Sequence, residues 1–142
     1  AAAIMREEYS FIEDVESWAG ALGLMQLMPA TALDHDDDIA GKATPDKLKT
    51  AAINVRVGVD HLFMLAERFD SHPVVMVAAY NAGGGAASSW LDGDEDIALW
   101  VEDIPYDQTR NYTKRVIGSY AAYQWLGGLH ELHDRVGDAP PK

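Results

Sequence analysis

Apolar residues along this chain recur mainly at intervals of three and four, the spacing of one face of an α-helix. In the first fifteen residues, Ile4, Phe11, Ile12 and Val15 fall on one side of a helical wheel with Glu8 among them, so a helix is predicted through this stretch. A longer amphipathic segment covers residues 51–69, with Ile53, Val57, His61, Leu62 and Leu65 near one face. His72 and Pro73 open a further helix over residues 74–82, which the three glycines 83–85 should end. The last helix starts at Asp107 or Thr109. Its stripe of Tyr112, Val116, Tyr120 and Tyr123 reads as core packing. Pro29 and Pro45 suit first helical positions, with Thr44 as an N-cap, and Pro105 stops a short apolar stretch at 97–104. The acidic runs 34–38 and 92–96 read as loops and residues 138–142 as a loose tail. No convincing period-two alternation occurs, so any sheet should be small, around residues 24–28. The expected fold class is mainly α, in a single domain with at most a small sheet.

The length of 142 residues, 48% of them apolar, suits one packed core. The formal charge of −12 excludes the basic footprint of a nucleic-acid binder and disfavours an acidic membrane surface. There are no cysteines, hence no disulfide framework and no thiolate metal site. The two acidic runs lack the glycine and terminal glutamate of a calcium loop. His130 and His133 lack companions for a zinc site. No metal or cofactor is therefore expected. No apolar run is long enough to cross a bilayer. The chain begins inside its first helical pattern, which reads as a monomeric domain cut from a longer precursor.

Glu8 is the first chemical candidate. Set between Ile4 and Phe11/Ile12 on a continuous helix, its carboxyl would be desolvated. Burial disfavours the charged form and suits a general acid. If the helix ends early, Glu8 is instead a solvated surface residue. Glu7 lies about 100° around the helix, at the stripe's edge.

Three ordered motifs carry a resemblance. They are Ala3, Ile4, Arg6, Glu8 and Phe11; then Gly23, Leu24, Met25 and Gln26 followed by Leu-Met-Pro-Ala-Thr-Ala; then Ala79, Tyr80, Asn81, Ala82 and Gly83. Their order and spacing resemble the catalytic domain of soluble lytic transglycosylases, which has a goose-type lysozyme-like fold. Two further stretches extend the likeness: Asn54, Gly58 and Leu62, and then Glu102, Ile104, Pro105, Thr109, Arg110 and Tyr112. The chain departs from the family at Tyr9, where a serine is usual, at Trp18 (proline), at His61 (tyrosine) and at Gln108 (glutamate).

The resemblance implies a domain over residues 1–127 with an extension at 128–142. It also implies cleavage of peptidoglycan between N-acetylmuramic acid and N-acetylglucosamine, with formation of a 1,6-anhydro ring. Glu8 would be the single acid and then base. Ser17, Gln26, Met28, Tyr80, Asn81 and Glu102 would contact substrate or the catalytic carboxyl. The implied partner is the glycan strand, and the implied location is the periplasm or cell envelope. A hydrolytic muramidase and a peptidoglycan-binding module without catalysis are the alternatives. Product mass separates the first, and glycan binding without product identifies the second.

Overall fold

The computed structural model of the chain describes residues 1–33, 44–91 and 96–127. The acidic runs at 34–38 and 92–95, the pair His130 and His133, and the 128–142 extension lie outside the described residues. Eight helices are described: α1 (Ala2–Tyr9), α2 (Pro29–Leu33), α3 (Pro45–Leu48), α4 (Ala51–Arg68), α5 (Pro73–Ala82), α6 (Gly84–Ser89), α7 (Ile97–Asp103) and α8 (Asp107–Leu126). The mainly α fold class expected from the spacing is the one observed. No described helix is long and apolar enough to cross a membrane. The chain divides into two units, residues 1–63 and 64–142, with the division inside α4.

In the first unit, α1 is shorter than its hydrophobic pattern predicts. Ser10 and Phe11 adopt left-handed φ values of 51° and 66°, and Ser10 caps the helix with its N–H on the Arg6 carbonyl. Phe11 and Ile12 are therefore off the helix and exposed. The buried side chains of this unit include Ile4, Leu22, Met25, Leu27, Leu48, Asn54 and Val57. Each large aliphatic among them contributes about 1.5–3 kcal/mol by leaving water.

The sheet expected near residues 24–28 is replaced by a hairpin loop. Leu22 and Leu27 exchange both backbone hydrogen bonds, at 2.9 and 3.0 Å, and Gly23 to Gln26 form the four-residue loop between them. Positive φ at Gly23 (73°) and Gln26 (47°) turns the chain there, so these residues cannot continue a strand. Leu22 also pairs with Glu16, as an isolated bridge.

In the second unit, α5 begins with Pro73 after the buried His72 and ends at Gly83, as its punctuation predicts. The other two glycines do not extend the break. Gly84 and Gly85 start α6, because only Gly83 takes a left-handed conformation. A Cβ on Gly84 would lie 2.8 Å from the Arg68 guanidinium, the flexible end of a long side chain that packs over the start of α6. Leu65, Phe69, Val75, Ala78, Trp100 and Ile104 form the core, with Tyr80 and Ile117 packed against it. Asp96 caps α7 by accepting from the Ala98 and Leu99 N–H groups, and α8 begins at Asp107.

Candidate active site

The candidate residues Glu8, Ser17, Gln26 and Met28 belong to the first unit, and Tyr80, Asn81 and Glu102 to the second. Glu8 stands in the last turn of α1 and is half-buried. Ile4, one turn earlier, is buried, but Phe11 and Ile12 do not supply the apolar wall predicted for a longer helix. Glu7 pairs with Arg6 at 3.8 Å.

Ser17 and Gln26 are linked through one hydrogen-bonded backbone. The Ser17 hydroxyl accepts from the Ala21 N–H at 3.0 Å, and the Ser17 N–H donates to the Ala21 carbonyl at 2.9 Å. Gly20, with φ of 85°, closes this tight turn, and Trp18 projects from it almost fully exposed. The Val15 carbonyl accepts from the Gly23 N–H at 2.8 Å and from the Gln26 Nε2 at 3.4 Å. Gln26 Nε2 also donates to the Gly23 carbonyl at 2.9 Å. Both amide hydrogens of Gln26 are thus engaged by backbone, and Oε1 is left to accept. A non-glycine residue at positive φ stores about 1 kcal/mol or more of strain. Met28, on the step into α2, is exposed.

The loop that presents Gln26 is held from behind by a residue whose role the sequence alone did not disclose. Asn54 is fully buried in α4. Its Oδ1 accepts from the Met25 N–H at 2.7 Å, and its Nδ2 donates to the Leu22 and Leu48 carbonyls, both at 2.8 Å. One amide therefore ties the hairpin, α3 and α4 together. A Cβ on Gly23 would come within 2.4 Å of Asn54 Nδ2, and one on Gly58 within 2.4 Å of the Met25 sulfur. The glycines of two separate sequence motifs are thus explained by one packing arrangement. The available signal for Asn54 was a polar residue beside Ile53 and Val57, four positions before a glycine in a helix interior.

Lys49 pairs with Glu16 at 2.9 Å. Hydrogen bonding and charge attraction from that carboxylate raise the lysine pKa above its ordinary value.

In the second unit, Tyr80 is half-buried against the core and Asn81 sits one residue before the end of α5. Asn81 Oδ1 accepts from the Thr109 hydroxyl of α8 at 2.7 Å. Among the described residues nothing pairs with its amide nitrogen. Glu102 is largely exposed and makes an ion pair with Lys114 at 2.7 Å. Its backbone carbonyl and that of Ile104 accept from Arg110, which ties α7 to α8. Glu102 and Lys114 border a cavity of about 400 Å³ lined also by Val74, Ile97, Val101 and Ile117. Neither Tyr80 nor Asn81 lines that cavity, so the structure does not bring Glu102 together with them there.

The first unit therefore offers a carboxyl at the end of a short helix and an oriented acceptor on Gln26, and the second unit, taken by itself, an oriented donor on Asn81. Amide groups held in this way suit hydrogen bonding to amide- and hydroxyl-bearing ligands.

Residues 1–101 match the model of the transglycosylase SLT domain. The soluble lytic murein transglycosylase of Escherichia coli strain K12 is 36% identical over 133 residues, which is 90% of this chain and 21% of that protein. The crystal structure of the 70 kDa soluble lytic transglycosylase from Escherichia coli superposes with a TM-score of 0.84 at 36% identity, over 89% of this chain and 21% of that one. An inactive glutamate-to-glutamine mutant of lytic transglycosylase Slt from Pseudomonas aeruginosa gives 0.82 at 32% identity, over 96% and 22%. This chain thus spans about a fifth of the length of these relatives. The agreement of family model, sequence and helical architecture makes the chain a member of the transglycosylase SLT domain family, with its lysozyme-like fold.

Proposed function

We propose that this domain is a peptidoglycan lytic transglycosylase that cleaves the bond between N-acetylmuramic acid and N-acetylglucosamine in the cell envelope. The observation that carries this reading is the family match over residues 1–101, which contains Glu8, Ser17, Gln26, Met28, Tyr80 and Asn81. Glu102 lies just beyond the match and is assigned as a substrate contact on the sequence likeness alone.

The chemistry needs one carboxyl group used twice. Glu8, protonated, gives its proton to the glycosidic oxygen as the bond from the muramic anomeric carbon to that oxygen breaks. The acetamido carbonyl of the muramic residue supports the positive charge left on the anomeric carbon, which replaces the second carboxylate of most glycosidases. The Glu8 carboxylate then takes the proton from the muramic C6 hydroxyl, and O6 bonds to the anomeric carbon. Atoms balance without water, and Glu8 ends protonated as it began. Gln26 Oε1 accepts from a substrate N–H or O–H, while Asn81 Nδ2 donates to a substrate oxygen. Ser17 and Tyr80 support the carboxyl, and Met28 offers a soft apolar contact to a sugar face.

The test is the mass of the products released from purified peptidoglycan. Lytic transglycosylation yields muropeptides ending in 1,6-anhydro-muramic acid, one water lighter than hydrolytic products. Products carrying the added water would make the domain a muramidase. Glycan binding with no product at all would make it a binding module.

A further inference from the structure

Asn81 can face a ligand with either end of its amide, and the two ends ask for opposite chemistry. Its orientation is decided by Thr109. The hydroxyl of this residue, in the first turn of α8, donates to Asn81 Oδ1 at 2.7 Å. Thr109 is 3% exposed, and among the described residues its hydroxyl proton has no other acceptor. Turning the amide over would point its NH2 group at the hydroxyl and strand that proton in a buried place, which is costly. The backbone beneath is fixed too, because the Thr113 hydroxyl donates to the Thr109 carbonyl at 2.9 Å. Asn81 itself is only half-buried, with its NH2 group unpaired among the described residues.

We infer that Thr109 is a positioning residue that locks Asn81 with its NH2 group toward the glycan, so that Asn81 selects an oxygen acceptor on an N-acetylated sugar. This rests on the proposed glycan-cleaving function. Thr109 touches no substrate in this account. Its removal frees the amide to rotate, so part of the bound population presents a carbonyl to an acceptor and is lost. The contact is made with substrate and transition state alike, so the effect falls on KM rather than kcat.

The experiment compares the parent, Thr109→Val, Thr109→Ser and Asn81→Asp. Soluble N-acetylated glycan strands are titrated calorimetrically into each protein carrying Glu8→Gln as well, so that nothing is consumed. Steady-state kinetics and melting temperature are measured without that change. Thr109→Val removes the hydroxyl at nearly constant shape. The expected result is about tenfold weaker binding and a KM raised about tenfold, with kcat within about threefold. Thr109→Ser restores binding to within about twofold. Asn81→Asp keeps an acceptor for Thr109 but loses the donor, and should bind at least as weakly as Thr109→Val.

Parental binding by a folded Thr109→Val, or failure of Thr109→Ser to restore it, overturns the inference. If Thr109→Val does not fold, Asn81→Asp decides, and parental affinity there overturns it. A parent that binds glycan but yields no anhydro product overturns the proposed reaction while the binding comparison still judges Thr109. A parent that binds no glycan overturns both.

Discussion

Two amide side chains proposed for substrate recognition, one in each unit, are held by opposite ends and by different means. Gln26 is held by its nitrogen, through the Val15 and Gly23 carbonyls, on a hairpin loop clamped from behind by the buried Asn54. Asn81 is held by its oxygen, through one hydroxyl on a neighbouring helix. The first orientation is built into the packing of its unit, whereas the second depends on a single side chain. Disturbing the first should therefore cost stability. Disturbing the second should cost recognition with the fold intact.

The largest effect is expected at Asn54. Replacing it with leucine keeps the bulk but strands the Met25 N–H and the Leu22 and Leu48 carbonyls in a buried setting. At about 1–3 kcal/mol for each stranded group, with partial relief by rearrangement, a loss of about 3–5 kcal/mol is expected in denaturant unfolding. A loss under about 1 kcal/mol would dissolve the distinction between the two amides. Next comes Gly58→Ala, which drives a methyl group into the Met25 side chain and should cost about 1–3 kcal/mol in the same assay.

Gln26→Gly separates stability from activity. It relieves the left-handed strain at φ 47° but removes the side chain and its two backbone contacts. Unfolding free energy should stay within about 1 kcal/mol of the parent, while kcat/KM falls about tenfold or more. Unchanged activity would show that the Gln26 side chain does not serve the site. The smallest effect is at Ser10→Gly, which should add about 0.5–1 kcal/mol of stability because Ser10 caps α1 at φ 51°.

The sequence disclosed the helices whose signals are local. Proline at the first position and glycine after the last act within one turn, so α2, α3 and α5 begin where Pro29, Pro45 and Pro73 place them. The end of α1 was misread because Phe11, Ile12 and Val15 continue a helical spacing although the backbone turns left-handed at Ser10. Periodicity reports side-chain character, and it is blind to a change of backbone conformation that no glycine or proline marks. The same limit hid the start of α6, since three successive glycines read as a break while two of them are helical.

The motifs singled out Glu8, Gln26 and Asn81 as candidates. What they did not carry is which end of each amide is committed, because that depends on partners far along the chain. Asn54 is 29 residues from Met25, and Thr109 is 28 residues from Asn81. Position 9 also breaks the family pattern, with tyrosine for serine directly after Glu8. Tyr9→Ser should change kcat/KM by less than about tenfold, roughly 1.4 kcal/mol of barrier. A parent that is inert until this replacement is made would place the block at Tyr9.

The central claim is that Glu8 alone carries the proton in both steps. The direct measurement is the rate of release of anhydro-muropeptides from purified peptidoglycan by the parent, Glu8→Gln and Glu7→Gln, with the folded state of each verified by circular dichroism. Glu8→Gln should lower the rate by at least about 10²-fold while the protein stays folded. Glu7→Gln, which gives up the long contact to Arg6 and lies off the proposed catalytic position, should remain within about twofold of the parent. Full activity in Glu8→Gln, or loss of activity in a folded Glu7→Gln, would contradict the account.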